Sequence, residues 1–399
     1  MNPYIQKLAQ MGSSRKRLII GLMSGTSLDG LDIALCAIEG SGMGTTVQLL
    51  QFKTVAYNNE FKELIRSIFA KHEVDLEQVC LLNAWVADRH AEMINKALKE
   101  WGIKSEEVDL IASHGQTIYH APKILHGKAA YGNATLQIGD GDHIAVKTGI
   151  ITVSDFRQKH IAAGGEGAPL AVYGDYFIFS KRGENRMMLN IGGIANFTFL
   201  PGNLNASNIF STDTGPGNTL MDAYMQAHFN KSFDENAAVA SQGEVNDALL
   251  LELKKDGFFL KPFPKTTGPE LFNLAYLQKA IENAGVEGIN HFNTMATLNR
   301  FSADTIADAL LQSMNGSSDF VIYSSGGGMH NSLLMNRIKE LAPACSFYTT
   351  GDIDILPDAK EAVLFAVLAN EHIAGGTTLL GTGAAGIPSV TMGKISFPV

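Results

Sequence analysis

The chain predicts an α/β fold built in two similar halves, and three observations carry that expectation. Apolar runs flank a polar, glycine-bearing loop over 18–35 and again over 186–200, each reading as strand, turn, strand. Helical periodicity fills the stretches behind each pair. Two short apolar runs, Val108–Ala112 and Phe320–Ser324, then read as buried strands entering polar or glycine-rich segments. Strands alternating with helices make α/β architecture, and the restart near residue 186 points to a duplication with a cleft between the halves.

Residues 1–17 are polar and basic and read as a ragged tail, because the apolar run Leu18–Met23 is too short for a signal peptide and no small-residue cleavage site follows. Phe61, Leu64, Ile65, Ile68 and Phe69 recur at helical spacing and predict a helix over 60–73. A longer one runs from Asp75 as N-cap to Trp101, with Leu76, Val79, Leu82, Val86, Met93, Ala97 and Trp101 on one side and Gly102 ending it. Beyond the second hairpin, helices are expected at 216–229, 244–255, 272–284, 293–314 and 360–373.

The 399 residues make room for two or three domains. Hydrophobic residues are 45% and charged residues 18%, enough for a full core. A net charge of −9 argues against a nucleic-acid surface, and the longest basic run is Arg15-Lys16-Arg17. Cys36, Cys80 and Cys345 lie far apart, which fits a reducing cytoplasm rather than a disulfide framework or zinc site. No stretch is long and apolar enough to span a bilayer, so the expectation is a soluble cytoplasmic protein.

Five polar segments sit at predicted element ends, where α/β proteins bind ligands. In the first, Ser24-Gly-Thr-Ser-Leu-Asp-Gly30, the hydroxyls of Thr26 and Ser27 and the carboxylate of Asp29 suit a nucleotide phosphate and its Mg²⁺, and Gly25 and Gly30 would let the backbone turn and approach. A plain hairpin turn accounts for the glycines equally well. The others are Ser113-His-Gly-Gln-Thr117; Asp155-Phe-Arg157 with Ala162-Ala-Gly-Gly-Glu-Gly-Ala-Pro-Leu170; Asp213-Thr-Gly-Pro-Gly-Asn218; and Ser324-Ser-Gly-Gly-Gly-Met-His-Asn331. Asp213 would stand at a strand end, with Pro216 in the first turn of the next helix. There it serves as a general base or merely as a turn aspartate. His114, His120 and His126 are spaced by six, unlike metal ligands, and His114 reads as orienting its loop or meeting substrate. Neither a P-loop nor a dinucleotide-binding glycine fingerprint is present.

Taken together, these segments resemble one family, the anhydro-N-acetylmuramic acid kinases of the actin/hexokinase superfamily. The matching stretches are Gly21–Asp32, Ser113–Thr117, Leu136-Gln-Ile-Gly139, Asp155-Phe-Arg157 with Ala163–Leu170, Leu189-Asn-Ile-Gly-Gly193, Asp213–Asn218, Gly326-Gly-Gly328 and Glu361, in order along almost the whole chain. The resemblance implies two ribonuclease-H-like domains with an interdomain active-site cleft. The first would span 1–155, with 376–399 returning to it, and the second 156–375. It implies ATP and Mg²⁺, and a reaction in which 1,6-anhydro-N-acetylmuramic acid, ATP and water give N-acetylmuramic acid 6-phosphate and ADP in peptidoglycan recycling. Asp213 would activate the water, with Glu361 assisting. Gly25, Thr26, Ser27, Leu28, Asp29, Gly30, Leu31 and Asp32, with Gly192 and Gly193, would hold the phosphates, Asp29 reaching Mg²⁺ through water. Gly326, Gly327 and Gly328 would approach the adenosine. Thr117, Gln137 and Arg157 would bind the sugar, Arg157 facing its lactyl carboxylate. A homodimer is what the family implies, with no nucleic-acid or membrane partner.

Some stretches depart from the family pattern. The tail before Arg17 is extra, the segment Lys123–Tyr131 is long, Pro269 stands where the family has Arg, and Gly381–Pro388 fits loosely. Two other readings use the same loops: a sugar or acyl kinase that phosphorylates a free hydroxyl or carboxylate, and a nucleotide-driven binding protein or sugar-sensing regulator. Against the regulator, residues 1–17 are too short for a helix-turn-helix domain.

Overall fold

The computed structural model describes residues 2–168, 170–316, 319–376 and 388–398. The chain divides into two compact units, Met1–Ser180 with Asp354–Val399, and Lys181–Ile353.

The first unit opens with α1 (Pro3–Ser13), β1 (Lys16–Ser24), β2 (Gly30–Glu39) and β3 (Thr46–Ala56). Residues 3–13 are therefore a helix rather than a ragged tail. Asn2 caps it, and its one buried residue, Met11, joins the core. Arg17, from the basic run, is 2% exposed and donates to Asn370 Oδ1 and to the carbonyls of Met11, Ser14 and Gly40. Those acceptors explain how a guanidinium is tolerated inside.

Next come α2 (Asn59–Ile68) and α3 (Leu76–Trp101). α2 stops short of the expected residue 73, because Phe69 turns extended and Ala70 takes φ +54°. α3 keeps its expected ends, with Asp75 as cap and Gly102 left-handed; its first residue, Leu76, is exposed, while Leu82, Val86, Ile94 and Ala97 pack inward. Then follow β4 (Leu110–Ala121), α4 (Lys123–His126), β5 (Ala134–Ile138), α5 (Gly141–Thr148), β6 (Thr152–Ser154), α6 (Phe156–Ala162) and α7 (Ala171–Phe179). Ser113–Thr117 lies inside β4, paired to β1 and β5, rather than in a loop after it.

The second unit contains β7 (Asn185–Ile191), β8 (Ile194–Leu200), β9 (Phe210–Pro216), α8 (Thr219–Phe229), α9 (Asp247–Leu253), α10 (Leu274–Ala284), α11 (His291–Met314), β10 (Phe320–Ser325), α12 (Ser332–Leu341) and β11 (Cys345–Thr349). Met187, Leu189, Phe197, Leu298, Phe301 and Ile322 belong to its core.

The chain then returns to the first unit through α13 (Lys360–Ala374) and β12 (Lys394–Ser396). α13 packs on β1, β2 and β4, and β12 pairs antiparallel with β6. These contacts, with those of α7 on α13, set the unit boundaries at 180/181 and 353/354 rather than at the expected 155 and 375. Residues 377–387, which include all but Pro388 of the loosely fitting Gly381–Pro388 stretch, lie outside the described residues.

The two sheets share one topology. The first runs β12-β6-β4-β1-β2-β3, with β5 on β4, and the second β11-β10-β7-β8-β9. In each, the opening hairpin and its third strand are antiparallel and the next two strands add in parallel beside the first. That is the ribonuclease-H-like pattern twice over. It puts the two glycine-bearing hairpins, β1–β2 and β7–β8, in equivalent places in their own sheets.

Candidate active site

In the β1–β2 loop, Thr26, Ser27 and Asp29 are exposed. The turn expected of the glycines is made by Leu28, which is buried and takes φ +60°. Gly30 is required for a different reason: a Cβ there would lie 2.5 Å from the Val55 carbonyl oxygen of β3. Gly25 faces open space, with only Ser27 Oγ within 4 Å of a built Cβ. Because the side chains of Leu28 and Leu31 are in the core, only their backbones can meet a ligand. Asp32 accepts from Thr54 Oγ1 at 2.5 Å; burial raises its carboxyl pKa, the Thr54 bond opposes that, and the charges of Asp358 and Asp29 add to the rise.

Beneath the loop runs a buried chain that the sequence reading missed. Ser24 Oγ donates to Gln116 Oε1 at 2.5 Å, an acceptor only. Tyr57 OH, 2.7 Å away, must then donate to Ser24, and His90 Nε2 to Tyr57 at 2.9 Å. Burial lowers the His90 pKa to about 4, so the ring is neutral and this direction places its one proton on Nε2. Gln116 Nε2 in turn meets the carbonyls of Thr117 and Gly25 at 3.2 and 3.4 Å. Its members come from β1, the link between β3 and α2, α3 and β4, and no spacing rule connects them.

Thr117 and Gln137 face each other in register across β4 and β5. Gln137 Nε2 donates to Thr117 Oγ1 and Thr135 Oγ1 at 3.1 and 2.8 Å, while its buried Oε1 has no partner among the described residues. Arg157, on α6, donates through Nε to His114 Nε2 at 2.9 Å and through Nη1 to the Gly167 carbonyl at 2.6 Å. Burial lowers the guanidinium pKa to about 10, with Glu361 opposing. His114 is pulled to about 3 by burial, then by Arg157, so its neutral ring accepts the Arg157 N–H while packing on Phe365 at 4.8 Å. His114 thus orients Arg157. Glu361, in the first turn of α13, keeps an exposed side chain; desolvation raises its pKa, opposed first by Lys360, which pairs with Asp175 at 3.0 Å.

In the second unit, Asp213 is partly buried within β9, opposite Asn196 of β8. Its N–H donates to the Lys265 carbonyl at 2.9 Å, and its Oδ2 accepts the Thr267 N–H at 2.8 Å. Burial lifts the carboxyl to about 6, against the Thr267 bond and with the Glu270 charge. That value suits a base working near neutrality. Pro216 ends β9 opposite Ile194 and does not open the helix; α8 begins at Thr219. The intervening chain is tied to the β7–β8 turn, with the N–H groups of Gly217 and Thr219 donating to the Gly193 carbonyl and that of Asn218 to Gly192. Gly192 and Gly193 therefore seat the start of α8.

The glycine triplet after β10 has two roles. Gly326, at φ +82°, and Gly328 press on Asn190 and Ile191, where a Cβ would come within 2.6 and 2.2 Å. A Cβ on Gly327 would meet nothing within 4 Å among the described residues, and the residue is exposed. Ser324 Oγ, in the strand before it, is buried without a partner among the described residues.

Among the described residues, no group of three or more His, Cys, Asp or Glu is placed to ligate a metal directly, and no helix is long and apolar enough to cross a membrane. The long segment Lys123–Tyr131 holds α4 and exposes Ile124, Leu125 and Tyr131. Asn133 anchors its end, accepting from the Lys123 N–H and donating to the Gly165 carbonyl.

The family model described as anhydro-N-acetylmuramic acid kinase matches residues 17–397. The protein of that name from Pseudoalteromonas atlantica is 56% identical over 400 residues, covering 100% of both chains. Its namesake from Pseudoalteromonas translucida is 54% identical over 399 residues, again covering 100% of both. The one from Caldanaerobacter subterraneus subsp. tengcongensis is 38% identical, over 98% of this chain and 100% of that one. With a family match over nearly its whole length and relatives aligned end to end, the chain belongs to the anhydro-N-acetylmuramic acid kinase family and is a kinase.

Proposed function

We propose that the enzyme opens 1,6-anhydro-N-acetylmuramic acid with water and phosphorylates it from ATP, giving N-acetylmuramic acid 6-phosphate and ADP. The observation that carries this reading is Asp213, a partly buried carboxylate lifted to about 6 and aligned by one main-chain N–H. Asp213 takes a proton from water as the water oxygen bonds to the anomeric carbon. The C1–O6 bond breaks, and its electron pair stays on O6. O6 then attacks the γ-phosphorus, the bond to the β-phosphate oxygen breaks, and ADP leaves. The proton held by Asp213 returns to solvent. Opening the bridge creates the very oxygen to be phosphorylated, so positioning does most of the remaining work.

Gly25–Asp32 would hold the triphosphate through backbone and hydroxyls, and Gly192 and Gly193 would complete the phosphate contacts. Gly326–Gly328 would approach the adenosine, where the open Gly327 and the unpartnered Ser324 hydroxyl fit a ligand. Thr117, Gln137 and Arg157 would bind the sugar; the free Gln137 oxygen suits a sugar hydroxyl, and the guanidinium suits the lactyl carboxylate. Glu361 would help orient the water or the sugar. Mg²⁺ fits Asp29, an exposed carboxylate close to that of Asp32, through water and phosphate oxygens rather than a protein cage. The ion would neutralise charge on the triphosphate. A cytoplasmic place in peptidoglycan recycling, and a homodimer, complete the proposal.

Labelled water tests the reaction. With ¹⁸O-water, mass spectrometry should find one solvent oxygen at C1 of the product phosphate ester. A first product that keeps the anhydro bridge and carries no solvent oxygen would favour a kinase acting on a free hydroxyl.

A further inference from the structure

We propose that Lys265 is a positioning residue for Asp213: its buried ammonium, caged by three phenylalanines, pins the segment whose main-chain N–H holds the carboxylate. The proposal rests on the reading of Asp213 as the base.

Lys265 is 8% exposed. Its Nζ lies 4.6, 5.9 and 5.1 Å from the ring centroids of Phe258, Phe259 and Phe263. It donates to the carbonyls of Phe258 and Phe259 at 3.2 and 3.3 Å. Among the described residues, its side chain forms no ion pair with a carboxylate. Burying an ammonium is costly unless donors and faces compensate it. Here two carbonyls and three π-faces do so, and burial still lowers its pKa, with Lys261 adding to the effect.

The main chain of Lys265 is fixed on the β9 side. Its N–H donates to Thr212 Oγ1 at 3.0 Å, and its carbonyl accepts from the Asp213 N–H at 2.9 Å. Residues 264–268 belong to no helix or strand, so the segment keeps its place through these bonds and the caged side chain. Two residues on, Thr267 supplies the N–H at Asp213 Oδ2, and Glu270 follows with its carboxylate folded over Gly268. The segment therefore brings Asp213 one donor that favours the charged form and one charge that opposes it. Burial is the largest influence on Asp213 and the direct bond outweighs the Glu270 charge, so loosening the segment while the carboxylate stays buried raises the Asp213 pKa.

The test compares Lys265→Met with Lys265→Gln, which keeps an uncharged N–H donor on a shorter side chain. Asp213 is titrated by ¹³C NMR of aspartate-labelled enzyme, its signal assigned by its absence in Asp213→Asn, and kcat is measured against pH. In Lys265→Met the Asp213 titration and the acid limb of kcat should both move up by about one pH unit. Turnover near pH 5.5 should then fall about eightfold and near pH 8 hardly change, a pattern that general destabilisation does not produce. Lys265→Gln should show a smaller shift. An Asp213 titration unmoved in either folded variant overturns the proposal, and if Lys265→Met does not fold, Lys265→Gln decides it. A titration that moves while the acid limb stays put upholds the positioning role and removes Asp213 as the base.

Discussion

Asp213→Asn is expected to lower kcat by about 10³- to 10⁴-fold while leaving ATP binding intact. Asparagine keeps the size of the side chain and an oxygen to accept the Thr267 N–H, so the local fold should hold. What it loses is the ability to take a proton from water. The wild-type enzyme should show the matching pH dependence. Its base works only when ionised, so kcat is full above the Asp213 pKa of about 6 and falls about tenfold per unit below it. Steady-state kinetics across that range, with calorimetric titration of ATP into the variant, check both statements. Near-normal turnover in the asparagine variant would end the assignment.

Gly21→Ala is expected to be the most damaging single methyl in the first unit. A Cβ on Gly21 would lie 1.8 Å from the Ala362 carbonyl oxygen, 2.8 Å from its carbon and 3.0 Å from the Ala366 nitrogen. These are backbone atoms of α13, which cannot rotate aside as a side chain would. Overpacking usually costs about 1–3 kcal/mol, and a clash with a rigid helix belongs at or above about 3 kcal/mol. For a unit of this size that is a fall of roughly 6–12 °C in melting temperature. Because α13 carries Glu361 in its first turn, surviving enzyme should also be slower. Gly25→Ala is the stability control, since its Cβ would meet only Ser27 Oγ at 3.6 Å. Thermal melts of both variants decide the matter, and a Gly21→Ala melt like that of the parent would refute the packing argument.

What the sequence showed and what it hid have separate physical causes. β1–β2, β7–β8 and α3 were legible because one buried face imposes a period and explicit caps mark the ends, as with Asp75 and Gly102. β3 was missed because it is an edge strand whose inward face is only partly buried, so its apolar alternation is weak. Ser113–Thr117 and Asp213–Pro216 read as loops because their residues are polar or turn-forming. Both are strand continuations held by ladder bonds to neighbours distant in sequence. Arg17 looked like part of a solvated basic run, and only the carbonyls gathered around it show otherwise. Candidate site residues stood out where glycine, hydroxyl and carboxylate clustered. Their supports, His90 on α3 and Tyr57 and Lys265 outside any helix or strand, leave no local pattern.

On the proposed phosphate role of the β1–β2 loop, Leu28 has a consequence for how nucleotide affinity is supported. A leucine at φ +60° adopts a conformation its side chain disfavours, and burial of that side chain holds it there. The folding energy of the first unit thus preorganises the loop before any ligand arrives, so that binding need not order it. Weakening the core beneath Leu28 would then surface as a loss of affinity for ATP before it surfaced as unfolding.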